Sequence, residues 1–334
     1  MSRSAARGEG PSISVILPLY QGEATVVRAL DSALGQTHPP LEVVVVDDGS
    51  TDRGPALVRA LDDPRIVLIG QPNAGCGAAR NLGIRRARGD LLAFLDADDE
   101  WLPGFFERAA RAFERHPEVD FYYGDSVELG LGTGTASRAT HFETAGTPAR
   151  DEPPVVRLAP PPVGGAKAVK RRVDRSLCTM VARRDRLLAL GGYYDRDGCR
   201  YGGDSVLSLL IHWNCPVLVQ AVPVHLRHRL EGGLTRRSRR EPVVRPLVAD
   251  TGYALDRVRP EDRGRVLRLV AYLAALDAAR LARMGHVELA RSVLRGALRA
   301  GDLARPELAP PLARFALRAA LRSVSGAALR TARR

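Results

Sequence analysis

No stretch of the sequence approaches the roughly 18 uninterrupted apolar residues that crossing a bilayer requires. The opening MSRSAARGEGPS lacks the apolar core of a leader. The chain is therefore expected in the cytoplasm, with any membrane contact peripheral. Cysteine is scarce, and Cys76, Cys178, Cys199 and Cys215 share no CxxC spacing. That speaks against a disulfide framework or a zinc site and suits reduced, structural thiols. No GxGxxG follows the first apolar run, and Gly75-Cys76-Gly77 comes too late and with the wrong spacing, so a nicotinamide-dependent dehydrogenase is disfavoured. There is no zinc finger, helix-turn-helix or RNP-like aromatic pattern, so nucleic acid is not an expected partner. No internal repeat is evident.

Charge is present in excess of one sign. Lys and Arg number 50 against 38 Asp and Glu, a net charge of +12 in 334 residues. Such a surface attracts phosphates or anionic lipid. The excess lies in the second half: arginines crowd 167–186, 236–245 and the tail beyond Glu307, whereas Asp47, Asp48, Asp96, Asp98 and Asp99 cluster in the first 125 residues. Arg314, Arg318 and Arg322 recur beside Leu312, Phe315, Leu317 and Leu321, with no acid after Glu307. A basic amphipathic helix over 312–334 would lie on anionic lipid or dock on the rest of the chain.

Residues 13–18 (ISVILP), 41–47 (LEVVVVD), 66–70 (IVLIG) and 91–96 (LLAFLD) are short apolar runs bounded by Pro, Gly, Asp or Asn, which reads as buried strands. Between them, 23–35, 52–62 and 75–88 have helical spacing. Val26, Val27, Leu30, Ala33 and Leu34 share a face of the first, and Asp52 caps the second. Alternating strands and helices predict a mostly parallel sheet covered on both faces. A helix over 103–115, a strand at 119–123, a strand, short helix and Gly-Gly turn from 177, a helix near 204–213 and a strand at 217–224 extend it. Residues 1–11 are expected to be disordered, 12–245 to form the α/β domain with a long acceptor-side loop over 129–175, and 246–334 to form a basic helical appendage. Val266, Leu269, Val270, Leu273 and Leu276 make one apolar face there.

Ligands of such sheets sit beyond the carboxyl ends of the strands. Here those ends carry Pro18-Leu19-Tyr20, Asp47-Asp48-Gly49-Ser50 and Asp96-Ala97-Asp98-Asp99. Two carboxylates one residue apart can share a hard divalent cation, which in turn bridges the oxygens of a diphosphate. The order PLYQGEAT, Gln36-Thr37, VVDDGSTD, QPNAGCGAARNLGI, FLDADDEWLP resembles family 2 glycosyltransferases of the GT-A fold, clearly over 12–125 and more thinly over 176–236.

The resemblance implies a nucleotide-diphosphate sugar as donor, held by Pro18, Leu19, Tyr20, Glu23 and Asp48 around the nucleoside and by Arg80 near the phosphates, whose planar guanidinium suits phosphate oxygens. It implies Mn²⁺ or Mg²⁺ at Asp98, with Asp96 reaching ribose or metal. Asp99 is expected to cap a helix or support the site from behind, and Trp101 and Pro103 to pack. Asp204, in Tyr201-Gly202-Gly203-Asp204-Ser205, matches the acid that deprotonates the acceptor hydroxyl. A histidine expected before a Ser or Thr is replaced in HLRHRLEGGLTR by Glu231, in a segment one residue short, so Glu231, His225 and His228 are given no metal role. The implied reaction is an inverting displacement in the synthesis of cell-surface polysaccharide, lipid-linked glycan or another glycoconjugate. The competing reading is a non-catalytic nucleotide-binding module whose basic half holds an anionic polymer or membrane. The presence of Asp48, Asp96, Asp98 and Asp204 together favours catalysis.

Overall fold

The computed structural model describes residues 10–129, 136–137, 155–156, 176–228 and 241–300. Glu231, the 312–334 segment and most of the 129–175 loop lie outside them. The chain divides into two compact units: one holds the described residues up to 157 with 176–200 and 215–228, the other 201–214 and 241–300.

The first unit is built on a ten-stranded sheet. Its strands are β1 (Ile13–Leu19), β2 (Glu42–Asp47), β3 (Ile66–Gly70), β4 (Leu91–Phe94), β5 (Glu100–Trp101), β6 (Phe121–Leu129), β7 (Ala136–Ser137), β8 (Val155–Val156), β9 (Met180–Arg183) and β10 (Val217–His228). The main path runs β3-β2-β1-β4-β9-β6-β10-β5. The pairs β2 with β3, β1 with β2, β1 with β4, and β6 with β10 are parallel. β9 runs antiparallel between β4 and β6, and β5 antiparallel along β10.

Alternation along the strands sends side chains to two covered faces. Ile13, Val15, Leu17 and Leu19 of β1 and Val43 and Val45 of β2 join one cluster with α1 (Val26–Leu34) and α4 (Phe105–Arg115). Val44 and Val46 turn the other way and meet Ala79 of α3 (Cys76–Arg86). The buried positions of α1 are Val26, Ala29, Leu30 and Ala33, the expected face shifted by a fraction of a turn. The second helix spans Gly54–Ala60 with Arg53, not the expected Asp52, at its N-cap position; Asp52 lies one residue earlier and accepts the N–H of Gly54 at 3.0 Å. At the amino end of the sheet, buried Glu42 accepts from Ser14 Oγ at 2.7 Å and from Arg88 N and Nε at 2.6 and 2.9 Å. Burial opposes its charge, but these donors hold its carboxyl below the usual range.

The second unit is helical, with Gly203–Asn214, Arg263–Arg283 and Val287–Ala300 as its longer elements. In Arg263–Arg283 the buried stripe begins as expected at Val266, Leu269 and Val270. It then passes to Ala274, Ala275 and Ala278, which pack with Ala290, Val293 and Leu294 of the following helix, while Leu273 and Leu276 stay half-buried. Alanines allow the two helices to approach closely. Asp277, buried on that face, accepts from Arg245 N at 3.0 Å and Nη1 at 2.6 Å. None of the helices among the described residues is long and apolar enough to cross a membrane.

Helix α3 lies close enough to β1 that only glycine fits at Gly83, where an added Cβ would stand 2.5 Å from Ile16 Cγ2. Ile16 is wholly buried and β-branched, so it has little room to yield. Gly83→Ala is expected to lower stability by about 1–3 kcal/mol through overpacking, despite alanine's better helix propensity. A urea unfolding midpoint at or above that of the unaltered chain would contradict this packing.

Candidate active site

The loops after β1 and β2 are interlocked. Gln21, at a φ of 53°, donates its N–H to Ser50 Oγ at 3.2 Å and accepts from Thr51 N at 2.7 Å. Glu23 N donates to Asp52 Oδ2 at 2.8 Å, and Glu23 Oε2 accepts from Arg53 N at 3.1 Å and Nε at 3.3 Å. Glu23 is thus engaged in holding two loops together. Leu19 lies in the core and its carbonyl accepts from Asp48 N, so its side chain offers nothing to the surface. Pro18 is half-buried, and Tyr20 is 54% exposed, an aromatic face at the strand end.

Asp48 is buried, and its carboxylate accepts from Gln71 Nε2 at 2.7 Å, Ala74 N at 2.8 Å and Gly75 N at 2.9 Å. A carboxylate has about four acceptor positions, so most of its capacity goes to shaping the 71–75 turn. Gly75, at a φ of 93°, then launches α3.

One turn along α3, Arg80 is nearly buried and its Nη2 meets Asp96 Oδ1 in a short charge-assisted contact. Its guanidinium also stands 5.0 Å from the centre of the Tyr193 ring. Asn81, the next residue, accepts from Tyr193 N and donates to Tyr193 O and Asp195 Oδ2, all at 2.8 Å. It fixes the turn that carries the ring. Gly192, at a φ of 69°, leaves room for Asn81 Oδ1, which an added Cβ would approach to 2.4 Å. Sequence reasoning singled out Arg80 but missed Asn81 and Tyr193, which hold it in place.

The acidic turn after β4 brings Asp96, Asp98 and Asp99 together, with carboxylate oxygens within 4.8 Å of one another. Burial works against the charge of Asp96, but Arg80, His225 and a hydrogen bond from Cys178 hold its carboxyl below the usual range. Asp99 accepts from His225 Nε2 at 2.9 Å and from His228 N at 3.0 Å. It caps no helix; the expectation of a carboxylate supporting the turn from behind is the one that fits, because α4 starts only at Phe105. Cys178 lies beside Asp99 and His225, and burial together with the two aspartates keeps its thiol protonated.

Asp98 differs from its neighbours. Burial and the charges of Asp96 and Asp99 push its carboxyl up to about 7. Three hard oxygen donors, one with its charge incompletely compensated, fit Mg²⁺ or Mn²⁺, which favour carboxylate oxygens and retain places for diphosphate and water. Asp98 would be the principal ligand and Asp96, half-turned to Arg80, the second.

The rest of the acidic turn is clamped. Arg28 of α1 bridges Glu100, at 3.1 Å, and the carbonyl of Asp98, at 2.9 Å. Gln36 donates to Leu102 O at 3.0 Å and accepts from Phe105 N at 3.1 Å. Trp101 is buried against Phe105 and Phe106 and donates to Cys178 O at 2.6 Å, the packing role expected of it. In the other unit, Asp204 lies exposed in the first turn of Gly203–Asn214, with Oδ1 accepting from Ser205 N at 2.9 Å.

The raised pKa of Asp98 has a consequence for stability. The folded form holds the proton more tightly than the unfolded chain, whose aspartates titrate near 4. The associated stabilisation is complete below that pH and lost as pH rises through about 7. In EDTA, the melting temperature of Asp98→Asn should gain on that of the unaltered chain between pH 5 and pH 8; a constant gap would contradict the assignment.

The family model described as "Glycosyl transferase family 2" matches residues 14–176. Over 106 residues, 31% of this chain and 30% of that protein, the sequence is 47% identical to the succinoglycan biosynthesis protein ExoO of Rhizobium meliloti. Over 105 residues it is 42% identical to an uncharacterized glycosyltransferase of Nostoc, covering 30% of this chain and 33% of that one. The alignments therefore span about a third of these relatives. Among solved structures, S. aureus TarS 1-349 in complex with UDP-GlcNAc superposes with a TM-score of 0.54 at 21% identity, over 82% of this chain and 71% of that one, a likeness of fold. The family match, the order of the motifs and the mostly parallel sheet with its acidic carboxyl edge agree: residues 14–176 match glycosyl transferase family 2, and the fold is of the GT-A type.

Proposed function

We propose that the chain transfers a sugar from a nucleoside diphosphate to an acceptor hydroxyl, with inversion at the anomeric carbon and a divalent cation at Asp98 and Asp96. The observation that carries this reading is the joint placement, at one sheet edge, of the nearly buried Arg80 paired with a part-exposed Asp96 and of an Asp98 whose charge is incompletely compensated. A diphosphate brings negative charge that Arg80 can share with Asp96, and Asp98 supplies the negative charge that a cation needs. When bound, Mn²⁺ or Mg²⁺ would neutralise charge developing on the departing diphosphate. Arg80 acts on the same charge from a fixed, nearly dry position, where a cation is worth more than in water.

Tyr20 and the remaining acceptor capacity of Asp48 face the nucleoside in this reading: an aromatic ring can stack on a base, and a carboxylate can accept from a base N–H. Pro18, Leu19 and Glu23 contribute by shaping that loop. Asp204 is the general base, taking the acceptor proton as the bond to the anomeric carbon forms. The TarS complex with UDP-GlcNAc makes uridine the first donor nucleotide to test, and the name of ExoO makes a polysaccharide the first acceptor class. Synthesis would take place at the cytoplasmic face, with the basic 312–334 segment on anionic lipid.

With the matching donor and acceptor, Asp204→Asn should reduce kcat by about 10²–10⁴, the range typical of a lost general base, while leaving nucleotide affinity and melting temperature unchanged. Proton NMR of the product should show the inverted anomer. Undiminished turnover in Asp204→Asn, or a retained anomer, would contradict the mechanism.

A further inference from the structure

We propose that His225 is a positioning residue for the acidic turn: through Asp99 it sets the direction in which Asp98 is presented. The inference rests on the proposed cation site and adds to it a residue that the motif pattern does not mark.

Asp99 is the keystone of the turn. Its N–H donates to Asp96 O at 3.1 Å, closing a four-residue loop with Asp98 at the third position. Its side chain then points back into the sheet, where His225 Nε2 lies 2.9 Å from Oδ2 and His228 N lies 3.0 Å from Oδ1. Both carboxylate oxygens are thus tied to β10. The backbone of the same strand pairs with the residues that follow, His225 with Trp101 and Leu226 with Glu100, and Val224 O accepts from Leu102 N at 2.9 Å. His228 Nε2 adds a contact of 2.5 Å to Glu100 Oε1. The acidic turn is therefore bound to β10 on one side, and on the other to α1 through Arg28 and Gln36.

His225 itself is 0% exposed, and its Nδ1 has no hydrogen-bond partner among the described residues. A buried polar atom without a partner is a penalty that an apolar side chain of similar size would avoid. Packing alone therefore does not account for an imidazole here. The bond to Asp99 does, because a ring N–H donated to a carboxylate is charge-assisted and directional. It also draws the charge of Asp99 toward β10. Without it, only the His228 N–H would hold Asp99, whose Oδ2 could then turn toward the cation and compete with Asp98 or distort its approach. Carboxylates that ligate metals commonly depend on such hydrogen-bonded supports.

His225→Phe keeps the bulk and removes the donor, whereas His225→Gln restores an N–H at similar reach. In metal-free protein, amide hydrogen exchange of residues 96–102 should quicken at least about tenfold in His225→Phe, while β1, β2 and β3 keep their protection; His225→Gln should recover most of the difference. Titration of Mn²⁺ with UDP present, followed by electron paramagnetic resonance, should show roughly ten- to hundredfold weaker binding in His225→Phe and near-normal binding in His225→Gln. Unaltered exchange and Mn²⁺ affinity in His225→Phe would overturn the proposal. So would a Gln variant as impaired as Phe, or protection lost evenly across the sheet, since each means that His225 acts by packing. If the unaltered chain bound no Mn²⁺, the functional reading would fall, and the exchange measurement on metal-free protein would still decide the role of His225.

Discussion

Three carboxylates share one tight turn, and their mutual repulsion is the constraint around which the first unit is arranged. Each is managed differently. Asp96 is neutralised by Arg80 from α3, Asp99 is bonded into β10, and Asp98 is left with its pKa raised to about 7. The contrast with Glu42 at the other end of the sheet is instructive. That carboxylate is more deeply buried, yet Ser14 and Arg88 supply enough donors to keep its pKa low. A buried charge without enough donors is retained where a ligand can supply what is missing.

Several elements have to meet at close range for this arrangement to hold. Gly83 lets α3 lie against Ile16, which puts Arg80 over the end of β4, and Gly192 lets the Tyr193 turn approach Asn81. The ring of Tyr193 then flanks the guanidinium and also meets Phe94 edge-on, with centroids 5.3 Å apart. The glycines of NAGCGAARNLG thus act as spacers that bring a nearly buried arginine onto a carboxylate at the sheet edge. Interlocking of the β1 and β2 loops through Gln21, Glu23, Ser50 and Asp52 fixes the neighbouring rim in the same way.

Strand and helix positions in the first 125 residues were legible because buried parallel strands are short continuous apolar runs, and their ends carry the acids. The antiparallel insertion of β9 was not legible, since MVAR reads as a strand but says nothing of its direction or neighbours. Asp96 and Asp98 stood out through spacing, and Asp48 and Arg80 through the family resemblance of the motifs that carry them. Their supports did not: Gln36, Asn81, Tyr193 and His225 act across sequence separations of about 66 to 126 residues, which no local pattern encodes. Glu23 and Leu19 illustrate the converse, motif residues whose side chains are committed to a loop contact and to the core. In the second unit the leucine periodicity of 266–276 pointed to the right face at first, but the alanines that allow close helix contact carry less signal than the leucines beside them.

The central claim is that Asp98 is a carboxylate awaiting a cation that arrives with a nucleoside diphosphate. Isothermal titration of UDP, GDP, dTDP and CDP, each with and without Mn²⁺, tests it directly in the unaltered chain and in Asp98→Ala. The account predicts one nucleotide whose binding strengthens markedly with Mn²⁺ in the unaltered chain and gains nothing from Mn²⁺ in Asp98→Ala. Failure of all four nucleotides to bind, or an equal Mn²⁺ effect in both proteins, would contradict it.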